Sequence, residues 1–290
     1  MFAFESYHRA RTLTEALDLL AANPFARPMA GGTDILVRLR EGHKEYAEIV
    51  DIHGLPELQT ITEEDGSLRI GSGATFTSIM ASPSVARHVP MLIEAAGWVA
   101  GPQIRNVATI GGNICNGSVC ADSAAPLLVL NAHLDLIGPE GERLIPLRGF
   151  HLGPGRVELR RGEILRSIRI KTDECRDLGT AYVKYSMRQA MDIATIGCGA
   201  GVRIRDGAVR ELRLAFTVAA PIPVRCTTAE TAATGLPLEQ AVEAVCETLA
   251  QDVSPRTSWR AAGDFRLHII RTLARRMILA AAKRTENASC

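Results

Sequence analysis

GPQIRNVATIGGNICNGSVCADSAAP, residues 101–126, is the stretch on which the reading of this chain turns. Gly101, Gly111, Gly112 and Gly117 stand there among Asn106, Asn113 and Asn116, and the other polar positions are small: Thr109, Ser118, Ser123 and one acid, Asp122. A β-branched run would pack a core. This composition instead frees the backbone to approach a ligand closely. Successive main-chain N–H groups in such a turn make an anion-binding concavity, and asparagine supplies both donors and acceptors. The alternative is a turn-rich loop joining two strands, since Gly and Asn punctuate turns of every kind.

A second loop of the same kind lies far upstream. Pro28-Met29-Ala30-Gly31-Gly32-Thr33-Asp34 follows a short helix and precedes the apolar run Ile35 to Leu39. Two glycine-paired turns, each followed by helix-like sequence, can face one diphosphate from two sides. Neither carries the dinucleotide pattern G-x-G-x-x-G. Gly71-Ser72-Gly73-Ala74-Thr75-Phe76 comes nearest but lacks the third glycine, and no G-x-x-x-x-G-K-[ST] is present. A Rossmann or P-loop site is therefore not expected.

Composition narrows the class. With 290 residues, 47% hydrophobic and 22% charged, the chain suits a globular protein with a substantial core, of two domains or of one large domain with a smaller one behind it. Its 33 basic against 32 acidic residues leave a net charge of +1, so bulk electrostatics make no case for nucleic acid or membrane. Aromatics at 4% are too few for base-stacking platforms. The start shows no secretory signal and no apolar run suggests a transmembrane helix, which points to the cytoplasm. Seven cysteines (Cys115, Cys120, Cys175, Cys198, Cys226, Cys246 and Cys290) contain no C-x-x-C, so the chain is expected to hold no metal or cluster of its own. Most read as buried or half-buried thiols, with Cys290 exposed.

Along the chain, Thr12-Leu13-Thr14-Glu15 is a capping box, and Asn23-Pro24 ends the helix it opens. Strands are expected at Pro28–Ala30, Glu48–Ile52 and Leu68–Gly73, and helices at Thr75–Met80, Pro90–Ala100 (stopped by Gly101-Pro102) and Ala124–Leu130. A hairpin turns at Gly138-Pro139-Glu140-Gly141, and strands follow at Val157–Leu159 and Ile164–Ile170. Beyond a boundary near Leu178, Ala200–Ile204 and Val209–Val218 pair around Arg205-Asp206-Gly207. Helices Leu238–Ala250 and Ser258–Lys283 come last. Strands followed by helices within one segment give an α+β class. Arg266, Arg271, Arg275, Arg276, Lys283 and Arg284 on the last helix read as a solvated face, with an anionic partner surface as the alternative.

AGGTD (30–34), TIGGNICN (109–116) and ADSAAP (121–126) together resemble the FAD-binding subunit of the molybdenum hydroxylases, above all the separate flavin subunit of three-subunit bacterial xanthine dehydrogenases. The likeness runs from Phe2–Tyr7 to Ser258-Trp259-Arg260. It implies a two-lobed FAD-binding domain of the vanillyl-alcohol-oxidase/PCMH type at 1–177. A smaller α+β domain of the family's C-terminal type, an antiparallel sheet with helices, follows at 178–290. It also implies non-covalent FAD, NAD as electron acceptor, and two partner subunits that carry the [2Fe–2S] clusters and the molybdenum cofactor. Nucleic acid and membrane are not expected partners.

The cofactor-binding set expected on this likeness begins with Arg27, Pro28, Met29 and Ala30. The main-chain N–H groups of Gly31, Gly32, Thr33 and Asp34 are assigned to the diphosphate, with Thr109, Ile110, Gly111, Gly112 and Asn113 closing over its other side. Asp122 is expected on the hydroxyls of FAD, or, equally, as the N-cap of the next helix. Leu165 matches an apolar residue that meets FAD through its backbone. Lys184 matches a lysine of the flavin pocket, where a cation stabilises the reduced ring; a surface strand lysine is the alternative. Arg188 and Asp192 fall in a loop that moves near the ring in animal-type relatives, but Met187 to Ile193 departs from the acid-rich version there. No catalytic acid or base is expected. The function implied is electron transfer from a partner's clusters through FAD to NAD in a xanthine dehydrogenase-like complex. Other readings are the flavin subunit of a carbon monoxide, nicotinate or aldehyde dehydrogenase, a stand-alone flavin oxidoreductase, or an assembly subunit that has lost FAD.

Overall fold

The structure, a computed structural model, describes residues 4–288, so Phe2 and Cys290 lie outside the described residues. Apolar residues on the inner faces of three sheets build the molecule.

The first lobe runs β1 (Ser6–Arg9), α1 (Leu13–Ala22), β2 (Arg27–Met29), α2 (Ile35–Arg40) and β3 (Glu48–Asp51), and its strands pair in parallel in the order β1-β3-β2. Thr12 caps α1 by accepting the Glu15 N–H at 3.1 Å. The Glu15 carboxylate reaches Arg11 N at 2.7 Å rather than Thr12 N, so the expected box closes one residue early. Ala16 and Leu20 of α1 pack on Val50, Leu55 and Leu58.

The second lobe opens with β4 (Ile61–Glu64) and β5 (Ser67–Gly71). Six helices follow: α3 (Phe76–Ala81), α4 (Pro83–His88), α5 (Pro90–Gly97), α6 (Pro102–Arg105), α7 (Ile110–Cys115) and α8 (Ala124–Val129). The chain then returns as β6 (His133–Gly138), β7 (Gly141–Pro146), the small pair β8 (His151–Gly153) and β9 (Arg156–Val157), β10 (Ile164–Lys171) and the turn α9 (Thr172–Cys175). The large sheet is antiparallel in the order β4-β5-β10-β6-β7, with the helices packed on its inner face. Gly101-Pro102 does not only stop the helix before it. Gly101 is the N-cap of α6, and Pro102 fits its first position because no N–H is needed there.

The last segment forms β11 (Gly179–Tyr185), β12 (Ile196–Arg205), β13 (Ala208–Thr217) and β14 (Val224–Arg225), one antiparallel sheet in that order. Helices α10 (Thr227–Ala233), α11 (Leu238–Thr248) and α12 (Gly263–Ala288) follow it. The last helix starts at Gly263 instead of Ser258, because residues 258–261 fold into a tight bridge and Thr257 Oγ1 accepts the Gly263 N–H. Of the basic residues on α12, Arg275 and Arg284 pair with Glu243 and Glu94 at the surface. Arg266 departs from the expected solvated face. It is 2% exposed and donates to Thr195 O and to Ser258 Oγ.

The alternation in Ile196-Gly197-Cys198-Gly199-Ala200-Gly201 sorts β12 by face. Cys198 and Ala200 enter the core under α12. Gly199 and Gly201 face α8, where added Cβ atoms would lie 3.5 Å from the Ala125 carbonyl and 2.9 Å from Val129 Cγ1. Every residue of α8 is buried for this reason: the helix lies between the large sheet's helical layer and the last sheet.

Candidate functional site

The two glycine loops meet. A Cβ on Gly31 would fall 1.8 Å from the Val107 carbonyl oxygen, so the first loop lies flush against the residues that lead into the second. Gly32 sits at φ 71°, in the left-handed region open to glycine. The second loop rests on the G-x-G-like stretch before α3. Thr109 bridges Thr75, Ile110 N donates to Ala74 O (3.0 Å), and Gly111 N donates to Ser72 O (2.9 Å). Gly71 and Gly73 are packing glycines, each against the backbone of Leu58. Ser72 N donates to Arg166 O, beside the β-bulge between Leu165 and Ser167, which places buried Leu165 behind the same wall.

The loops differ in what they offer. The N–H groups of Gly31, Gly32, Thr33 and Asp34 meet no acceptor within the described chain, in a stretch half-buried as far as Thr33. Main-chain donors left in this state bond water or a ligand, and an anion suits a run of four in succession, three half-buried and the last exposed. In the second loop the N–H groups of residues 110–113 are all spent. Gly112 N donates to Thr109 Oγ1 (3.1 Å), and Asn113 N to Thr109 O (3.0 Å), because Thr109 caps α7. The expectation of an anion concavity in that stretch is thus corrected: it is a helix start, and its free polar group is the amide nitrogen of Asn113, whose Oδ1 accepts from Ser123. Arg27 and Pro28 are exposed on β2, and Met29 and Ala30 pack beneath the first loop. Asp34 is exposed and paired with Arg38 at 3.0 Å.

Asp122 and Lys184 come together from different sheets' territories. Lys184 Nζ donates to Asp122 Oδ2 at 2.9 Å and to Trp98 O at 3.0 Å, and it is only 5% exposed. The surface-lysine alternative does not hold. Asp122 is no N-cap either. Ser123 occupies that position of α8, its side chain making no capping bond, and both oxygens of Asp122 are met, one by Lys184 and one by the Tyr182 hydroxyl at 3.2 Å. Burial pushes the Asp122 carboxyl up against the opposing pull of Lys184 and Tyr182.

Sequence reasoning missed Tyr182, Trp98, Ala100 and Arg105. Tyr182 was legible as the same-face neighbour of Lys184 two residues along a strand. Ala100 sits at φ 40°, and Arg105 Nη1 holds that turn by donating to Val99 O (2.9 Å) and Ala100 O (3.3 Å). The turn also receives the loop 187–193, since a Cβ on Gly101 would lie 3.3 Å from Met191 Cγ. Within that loop Arg188 N donates to Asp192 Oδ2 (2.9 Å), and the Arg188 guanidinium to Met191 O (2.7 Å). Cys198 and Cys226 are buried, and burial pushes the Cys115 thiol up to about 12. Among the described residues no group of three His, Cys, Asp or Glu side chains could hold a metal ion, and no helix is long and apolar enough to cross a membrane.

Comparison with known proteins agrees with this architecture. The family described as the FAD binding domain in molybdopterin dehydrogenase matches residues 2–171, and that described as the CO dehydrogenase flavoprotein C-terminal domain matches 181–281. The chain is 53% identical over 280 residues to the putative xanthine dehydrogenase FAD-binding subunit of Escherichia coli K12, covering 96% of each. It is 31% identical to the carbon monoxide dehydrogenase medium chain of Hydrogenophaga pseudoflava, over 95% of this chain and 96% of that one. A solved carbon monoxide dehydrogenase structure from H. pseudoflava superposes with a TM-score of 0.93 over 98% of this chain and 99% of the other, at 31% identity. Quinoline 2-oxidoreductase from Pseudomonas putida 86 follows at 0.90 and 26% identity, over 99% of both chains.

Proposed function

Because the chain belongs to the flavin-subunit family of the molybdenum hydroxylases, we propose that it binds FAD non-covalently between its two glycine loops, as the electron-transfer subunit of a xanthine dehydrogenase-like complex. The observation that carries the cofactor assignment is the run of four unspent N–H groups from Gly31 to Asp34. They suit a diphosphate, which offers a dense set of anionic acceptors. Arg27, Pro28, Met29 and Ala30 deliver that run. Thr109, Ile110, Gly111, Gly112 and Asn113 wall the opposite side, with the Asn113 side chain as donor, and Leu165 backs the wall. On this reading the buried pair of Lys184 and Asp122 belongs to the wall of the flavin cleft.

FAD when bound supplies the redox chemistry, taking up an electron pair and passing it on; the protein's share is position, electrostatics and exclusion of water. The donors are taken to be [2Fe–2S] clusters on one partner subunit, fed by a molybdenum site on another that oxidises a purine, and the acceptor is NAD. The fold match to carbon monoxide dehydrogenase favours a second reading, the flavin subunit of a hydroxylase for a different substrate. An absorption spectrum of the purified chain tests the cofactor. Bound FAD gives flavin bands that NADH bleaches in the absence of oxygen. A colourless protein that takes up no added FAD would end the proposal, and a yellow one that NADH leaves unchanged would remove NAD from it.

A further inference from the structure

Thr180, Tyr182 and Lys184 alternate on the face of β11 turned toward α5. Tyr182 and Lys184 grip the two oxygens of one carboxylate there. The Tyr182 hydroxyl donates to Asp122 Oδ1 at 3.2 Å, and Lys184 Nζ donates to Oδ2 at 2.9 Å. Tyr182, Asp122 and Lys184 are 6%, 7% and 5% exposed, so all three are largely withdrawn from bulk water. The titratable groups around them are few. Cys120 lies in the same loop and Cys198 on β12, both close to Tyr182. Glu94 of α5 accepts the Tyr182 N–H and is tied to Arg284 of α12. Burial pushes the Cys198 thiol and the Tyr182 hydroxyl well above their ordinary values, so both are protonated and Tyr182 can only donate toward Asp122. One residue along, Ser123 Oγ donates to Asn113 Oδ1 at 2.6 Å, which joins this unit to the second glycine loop.

We infer that Tyr182 is a positioning residue: its hydroxyl keeps Asp122 ionised and locked on Lys184, so that the cleft faces a neutral pair rather than a bare cation. The inference rests on the reading that the cleft holds FAD. A carboxylate removed from water keeps its charge only while hydrogen bonds and an opposite charge support it. Burial already works against Asp122, and the hydroxyl is one of its two supports. Without it Oδ1 has no donor and the carboxyl takes up a proton more readily. A neutral Asp122 leaves the Lys184 charge uncompensated, and an uncompensated cation beside the cleft favours electron uptake there.

The test uses the full chain with Tyr182→Phe, which keeps the ring volume, and Asp122→Asn, which fixes the neutral state. The first readout needs no cofactor. Carbon-13 titration of the Asp122 carboxyl in the flavin-free chain should show its midpoint moving up by about one pH unit or more in Tyr182→Phe, the scale of one hydrogen bond to a charged group. An unmoved or lowered midpoint overturns the inference. The second readout is the reduction potential of the loaded chain against pH. Asp122→Asn should be more positive than the parent throughout, and Tyr182→Phe should join it as the pH falls and return to the parent value as it rises. A Tyr182→Phe potential equal to the parent's at every pH overturns the positioning role. If Tyr182→Phe does not fold, an unshifted potential in Asp122→Asn overturns the neutral pair. A chain that takes up no FAD sinks the cofactor reading, while the carboxyl titration still decides Tyr182.

Discussion

At the scale of single residues, glycines that look alike in the sequence do different work. Gly31 and Gly111 have no room for a Cβ, which would fall 1.8 Å from Val107 O and 2.5 Å from Ser72 Cβ. Gly32 is held at φ 71°, where a side chain is strained by about 1 kcal/mol or more. Gly112 is exposed, and its Cβ would meet only the Thr109 hydroxyl at 3.1 Å. Alanine scanning should therefore separate packing from binding. Gly31→Ala and Gly111→Ala lose thermal stability together with flavin. Gly32→Ala loses flavin with a modest fall in stability, and Gly112→Ala keeps both far better. Differential scanning fluorimetry beside flavin occupancy checks the order. Equal effects at all four positions would mean that the loops do not divide the work as their geometry requires.

At the scale of elements, the large sheet is pinned by one acid. Asp135 of β6 accepts from Arg166 (3.0 and 3.1 Å) and Ser167 (3.0 Å), and from Arg169 (3.1 Å), all on β10, and it lies 3.6 Å from Arg69 on β5. Burial alone would push its carboxyl up; the arginines and the hydroxyl outweigh that and hold it below the ordinary carboxylate range. A depressed folded-state value stabilises the fold above the unfolded value of about 4 and is lost as the pH falls through the folded one. Asp135→Asn should cost about 3 kcal/mol at neutral pH, near the lower end for breaking a buried pair because the arginines keep some surface in water. It should also flatten the acid limb of stability below about pH 4. Melting temperature against pH measures both, and an unchanged acid limb would place the acid sensitivity elsewhere, for example at Glu163, which Arg143 holds low in the same way.

At the scale of the whole molecule, the candidate site is assembled by contact between distant segments. β11 sends Lys184 and Tyr182 onto Asp122 and Trp98, and the glycines of β12 let α8 lie close enough for that contact to form. The chain matches the FAD-binding domain family, and among its described residues no group of three His, Cys, Asp or Glu side chains could hold a metal ion. Alone it should oxidise NADH with an artificial acceptor and show no turnover of xanthine. Co-expression with iron–sulfur and molybdenum subunits should restore xanthine-dependent NAD reduction. Stable interfaces of such complexes bury about 2,000 Å² or more, so the lone chain should also self-associate more than the complex does. Sedimentation and paired activity assays, with and without the partner chains, decide both points. Xanthine turnover by the single chain would contradict the electron-transfer role.

The sequence by itself determined the fold class, the positions of both glycine loops and some of the elements, but not β1, β4, α4, α6, α7, α9, α10 or β14. What it did determine rests on local chemistry, such as Thr12 as a cap and the Gly138–Gly141 hairpin. Only the tertiary structure decided which loop keeps free donors. The amides of residues 110–113 are spent partly on carbonyls of Ser72 and Ala74, contacts no local pattern announces. It also decided that Lys184, Asp122 and Arg266 are buried. An ionisable residue on a strand or helix carries no mark of burial, because what seals it is packing by segments as much as 86 residues away along the chain, as Trp98 is from Lys184. Side-chain partners across such distances are fixed by how the lobes pack, and that is a property of the whole chain.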